Sequence, residues 1–212
     1  MKKKLAKIAA LSMAAVSLVL VTVLVTVAFL TSKSGQITNT FSVGDVTITM
    51  DESIVSEDGT VGQGRHYGNK YRLVPGKTYV KDPIVYVEAG SETSYVFVEI
   101  TNGISAIEKN EEGVADTIAE QMAENNWKKI SESGATSVYV YAEGEAVATP
   151  IERNENEKQE LPVFETFSVA DEAEVSTYGN AQVVLTAYAI QADGFDDEST
   201  VVDVWNAVKN AQ

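Results

Sequence analysis

The stretch IVYVEAGSETSYVFVEI, residues 84–100, carries two runs of β-branched and aromatic side chains on either side of a turn-forming AGSET. Such runs favour extended backbone, and the small and polar residues between them favour a reversal. In the second run Val96, Val98 and Ile100 fall on one face, the period of a strand with a buried side. Both runs read as strands, and the rest of the chain is read outward from them.

Upstream, VTITM (46–50) alternates in the same way, with Val46, Ile48 and Met50 on one face. Residues 51–70, DESIVSEDGTVGQGRHYGNK, are rich in glycine and charge and read as a long loop or a ragged hairpin. Pro75-Gly76 suits the centre of a type II turn. Asp82-Pro83 favours an extended residue and an edge position for that backbone.

Downstream the period changes. Within 113–126, Val114, Ala115, Ile118, Ala119, Met122 and Ala123 collect on one side of a helix, which predicts an amphipathic helix inserted between strands. WKKI and SVYVYA return to strand character, and RNENEKQE (153–160) reads as a charged loop. LPVFETFSVA and AQVVLTAYAIQ are further strands, the second apolar on both faces as a central strand would be. Val201, Val204, Trp205 and Val208 form the stripe of a short C-terminal helix, with Asp196, Asp197 or Ser199 as its N-cap. About seven to nine strands with one or two short inserted or terminal helices, and no βαβ rhythm, predict a mainly β fold: an antiparallel, jelly-roll-like β-sandwich.

The first 30 residues follow another plan. Lys2, Lys3, Lys4 and Lys7 precede an uncharged apolar run from Ile8 to Leu30. This is the layout of a secretory signal peptide, although the run is also long enough to span a bilayer as a retained anchor. Thr26 and Ala28 fit the −3 and −1 positions of a signal-peptidase site, with Phe29 as the first mature residue. The organisation expected is a signal peptide (1–28), an extended N-terminal segment (29–45) and a β-sandwich domain (46–212). The C-terminal VVDVWNAVKNAQ carries neither a second apolar span nor a wall-sorting pattern, so the expected product is released or non-covalently assembled unless the first span stays in place.

All 31 acidic residues lie beyond Ala28, against 12 of the 16 basic ones, for a net charge of −19. Such a surface repels nucleic acid and anionic lipid, so neither is an expected partner, and the membrane matters only before cleavage. Cysteine is absent, which excludes thiol catalysis, thiolate metal sites and disulfides.

Catalytic patterns are not evident. A zinc peptidase needs about three protein ligands, yet the chain has one histidine, His66, and no His-Glu-x-x-His. No Gly-x-Ser-x-Gly elbow is present, and paired carboxylates alone carry no specificity for glycoside hydrolysis. DGFDDES (193–199) lacks EF-hand spacing and reads as an acidic helix cap. The nine tyrosines mostly alternate with valine and read as strand packing. The chain is expected to be non-catalytic, with no catalytic residue, metal ligand or cofactor.

AFLTSKSGQITNTFSVGDVTITMDE after a long apolar run, YRLVPGKTYVKDPIVYVEAGSETSYVFVEI, and LTAYAIQADGF with VWNAV resemble the SipW-dependent exported proteins of Gram-positive bacteria, the TasA/camelysin family. The resemblance covers most of the chain. It implies a secreted jelly-roll domain of the cell surface or biofilm matrix, trimmed by a dedicated signal peptidase near Ala28. It further implies extracellular fibres in which the freed segment of one subunit inserts as a strand into the next, the partner being another copy or a related matrix protein. That donor would run from Phe29 to about Thr40, with Phe29, Leu30, Ile37 and Phe41 as apolar pegs. Camelysin-like members carry a metallo-endopeptidase label, for which this chain offers no ligand set. An exported peptidase and a monomeric adhesion module are the alternatives.

Overall fold

A computed structural model describes residues 45–112, 116–195 and 199–210. Two four-stranded antiparallel sheets face one another as a β-sandwich. The first has the order β2-β1-β4-β8, from Val61–His66, Ile48–Val55, Ile84–Val87 and Gln159–Pro162. The second has the order β10-β5-β7-β6, from Val183–Gln191, Ser94–Asn102, Thr136–Tyr141 and Trp127–Ser133. A short ribbon pairs β3 (Thr78–Val80) with β9 (Thr166–Ser168). The two runs that anchor the sequence reading are strands as expected, β4 in the first sheet and β5 in the second.

Alternation explains the main core. Val85 and Val87 of β4 and Val96, Val98 and Ile100 of β5 point between the sheets, where they meet Trp127, Tyr139, Leu161 and Phe164. Tyr71, Tyr79 and Phe167 close one end, with ring centroids 5.0–5.6 Å apart. Helix α1 (Ile118–Glu124) inserts Ile118 and Met122 into this core. It is shorter than the sequence period predicts. Thr117 accepts a hydrogen bond from the Glu120 backbone while the Glu120 carboxylate accepts from the Thr117 N–H, a capping box that starts the helix at Ile118. Residues 113–115 lie outside the described residues.

A second core lies on the other face of the second sheet. Helix α2 (Val201–Asn210) packs Val204, Trp205 and Val208 against Phe97, Val138 and Val140. Trp205 lies 5.3 Å from both the Phe97 and Tyr188 rings, centroid to centroid. Thr200 caps it: the Asp203 backbone N–H donates to Thr200 Oγ1, and the Asp203 carboxylate accepts from the Thr200 N–H; Asp196 and Asp197, named from the sequence, lie outside the described residues.

The first sheet decides the readings of residues 51–70 and of Pro83. Of the two alternatives for residues 51–70, the ragged hairpin is the one that forms: DESIV is the second half of β1, paired with β2 around a bulge. Its charges made it look like loop, and the fold neutralises each of them. Arg65 holds Asp51 at 2.5 Å and Asp82 at 2.9 Å, and Lys81 holds Glu52 at 2.5 Å. His66, read as a loop residue, ends β2 opposite Glu52. Pro83 is not at an edge either, since it directly precedes β4, a strand flanked by β1 and β8. The β1–β4 ladder begins at Ile84, so the missing proline N–H breaks no pairing. The Pro75-Gly76 turn is present, with Gly76 at φ 75° and the Lys77 N–H donating to Val74 O.

Candidate assembly edge

β10 is apolar on both faces because it is sandwiched, not because it is central. Val183, Leu185, Ala187 and Ala189 face the main core, and Tyr188 and Ile190 face the second core under α2. Along the sheet, however, β10 is an end strand whose one partner among the described residues is β5.

The register fixes which backbone groups are left over. Gly103 N–H donates to Gln182 O, and Ala192 N–H donates to Thr93 O. These bonds place the even-numbered residues of β10 in hydrogen-bonded pairs with β5. By antiparallel alternation, the N–H and C=O of Val183, Leu185, Ala187, Ala189 and Gln191 point the other way. They form an edge nine residues long with no charge, proline or glycine in it. Of these, Val183, Leu185, Ala187 and Ala189 aim their side chains into the sandwich, yet all remain only partly buried.

β1 lies beside this edge. Glu88 N–H donates to Thr47 O, which by the same alternation turns the Ile48 and Met50 backbone away from β4. β2 pairs with β1 only from Glu52 onward, so this row is also unpaired among the described residues. Ile48 and Met50 are themselves partly buried against the main core. Two open backbone rows therefore border a set of half-covered apolar side chains. A strand laid along β10 would satisfy the edge and finish covering Leu185, Ala187 and Ala189.

The other end strands differ. β2 carries Gly62, Gly64, Arg65 and His66 and is bulged against β1. β6 carries Lys128, Lys129 and Glu132 and is bulged against β7. β8 carries Glu160 and Pro162, with Lys158 next to it lying 3.6 Å over the Tyr86 ring. Charge, proline and bulges are the devices that blunt an edge against pairing. β10 has none.

The residues named from sequence fall elsewhere. Thr26, Ala28, Phe29, Leu30, Ile37 and Phe41 lie outside the described residues, as do 196–198 of the DGFDDES stretch. His66 Nε2 is 2.7 Å from Asn69 Oδ1. Among the described residues, no three histidine, aspartate or glutamate side chains converge on a point that could hold a metal. A polar cavity of about 310 Å³ between α1 and β9 is spanned by Gln121, whose amide donates to Asp116 O and Thr166 O and accepts from the Glu165 and Thr166 N–H groups. That side chain works as a seam holding the helix to the strand.

Sequence reading missed the open edge. Its signal is present, an uncharged nine-residue β run without a blocking residue, but the same signal describes a central strand. No family model, curated protein or solved structure matches the chain.

Proposed function

We propose that this chain is a secreted, non-catalytic structural protein of the cell surface or biofilm matrix that assembles into fibres by strand addition at β10. Cleavage between Ala28 and Phe29 frees residues 29–41, and this segment from one copy lies along the β10 edge of the next. The observation that carries the reading is the contrast between β10, open and uncharged, and the three blunted end strands.

The donor suits the acceptor by parity. In FLTSKSGQITNTF, Phe29, Ile37 and Phe41 share one face of an extended strand, with Lys33 on that face and Leu30 on the other, and the uncharged β10 edge does not repel it. Main-chain hydrogen bonds supply affinity that tolerates a polar donor, and the apolar pegs set register. A contact in which one surface of a subunit meets a different surface of the next does not close on itself, so it grows filaments. Before cleavage the segment is continuous with the apolar run 8–30, which ties it to the membrane during export.

Electron microscopy of the trimmed protein beside a variant lacking residues 29–41 tests this. The trimmed protein is expected to form fibres and the deletion variant to stay a folded monomer. Fibres from the deletion variant would refute the mechanism.

A further inference from the structure

Three side chains meet inside the first sheet, next to the β1–β2 pairing. Lys81 and Glu52 are 8% and 4% exposed, the deepest-buried ion pair among the described residues. Glu52 is shared between two nitrogens: Oε2 accepts from Lys81 Nζ at 2.5 Å, and Oε1 accepts from Asn69 Nδ2 at 2.9 Å. The remaining Nδ2 hydrogen goes to Ser53 O at 2.8 Å. Asn69 Oδ1 accepts from the Val55 backbone N–H at 2.7 Å and lies 2.7 Å from His66 Nε2. A backbone N–H can only donate, so Oδ1 is the oxygen and His66 Nε2 must carry a proton.

The cluster holds the groups that amide formation between two side chains uses. It holds a buried amine, a carboxylate touching both that amine and the amide nitrogen, and a carbonyl oxygen facing two N–H donors. A merely structural ion pair requires neither the second contact of Glu52 nor the two donors on Oδ1.

We propose that Lys81 and Asn69 join spontaneously in an isopeptide bond, with Glu52 carrying the protons. Nζ passes one proton to Glu52, and its lone pair attacks Asn69 Cγ. The carbonyl π electrons move onto Oδ1, where the Val55 N–H and the His66 Nε2–H stabilise the oxyanion. Collapse re-forms the C=O bond and breaks Cγ–Nδ2. The departing nitrogen takes the proton back from Glu52, and the second Nζ proton follows by the same carboxylate. The ammonia thus leaves as ammonium and Glu52 ends ionised as it began. The net reaction converts a lysine ammonium and a carboxamide into a secondary amide and ammonium, with no oxidant or co-reactant. Fixed proximity replaces a bimolecular encounter, and burial shields the product from hydrolysis. In a chain without cysteine, the bond would lock the loop after β2 to the residue that follows β3 covalently.

Mass spectrometry of the full chain, denatured and then digested with trypsin, tests the proposal. The linked protein is lighter than its sequence by one ammonia, about 17 Da. Trypsin cuts after Arg65, Lys70, Arg72 and Lys77, so a bond survives as a branched peptide joining residues 66–70 to the peptide that begins at Thr78. Recovery of 66–70 and 78–81 as separate, unmodified peptides from the wild-type protein would overturn the proposal whatever any variant does. Glu52→Gln, checked for folding by circular dichroism, is expected to slow linkage by about 10²-fold or more. Linkage at the wild-type rate in that variant would overturn the role given to Glu52.

Discussion

The two sides of the sandwich treat their strand edges in opposite ways. Along β1 and β2 the fold spends charge, ordering Arg65 between two aspartates and burying Glu52 against Lys81 and Asn69. Along β10 it spends none, and the odd-numbered backbone groups of a nine-residue apolar strand stay open among the described residues. From Asp51 onward the first region is closed by its own side chains. The second leaves its outer backbone row without a partner among the described residues, and the proposed fibre mechanism uses that row as its acceptor.

The sharpest way to break the contrast is proline on β10. The Ala187 N–H points off the sheet, so Ala187→Pro removes a donor from the open edge and leaves the β5 ladder intact. Electron microscopy is expected to show no fibres, with the monomer still folded by circular dichroism. Tyr188→Pro, one residue on, removes a ladder bond to β5 and should destabilise the monomer itself by about 1–3 kcal/mol.

The sealed region makes the next largest prediction. Lys81→Ala strands the Glu52 carboxylate in the interior and is expected to cost about 3–5 kcal/mol, read by urea unfolding. Its direct effect on assembly should be small once conditions keep the variant folded.

Thr200→Ala probes the helix lying over the outer face of β10. Loss of the cap is expected to lower stability by about 1 kcal/mol, again by urea unfolding, without abolishing fibres.

The smallest effect is electrostatic. Burial pushes Asp82 up, but hydrogen bonds from the Ser53 N–H and hydroxyl, together with Arg65, outweigh it and hold the carboxyl below its ordinary 3.8. A depressed folded value means that Asp82 stabilises the fold above the unfolded value and loses that contribution as pH falls through the folded one. The stability gap between wild type and Asp82→Asn should therefore be widest above about pH 4 and shrink on acidification, as urea titrations at several pH values would show.

Much of the sandwich was legible in the chain because Val96, Val98 and Ile100, like Val204, Trp205 and Val208, keep a strict period on a single face. The failures have physical causes. Asp51, Glu52 and Ser53 disguised half of β1, since a strand with charges at successive positions looks like loop until Arg65, Lys81 and Asp82 arrive from elsewhere in the sequence. The inserted helix was read too long because period alone does not reveal that Thr117 and Glu120 close a cap. β10 was placed at the centre because two apolar faces are the same whether the second cover is a sheet or α2. Even and odd amides of a strand are chemically identical in sequence, so the open row could emerge only from the register.

Amide hydrogen exchange of β10 tests the central claim most directly. A synthetic peptide of residues 29–41 is added to the variant that lacks them, and exchange is followed residue by residue. The N–H groups of Leu185, Ala187 and Ala189 are expected to become protected, while Thr186, Tyr188 and Ile190, already bonded to β5, change little. Unchanged exchange at the odd positions, or new protection confined to another strand, would contradict the account.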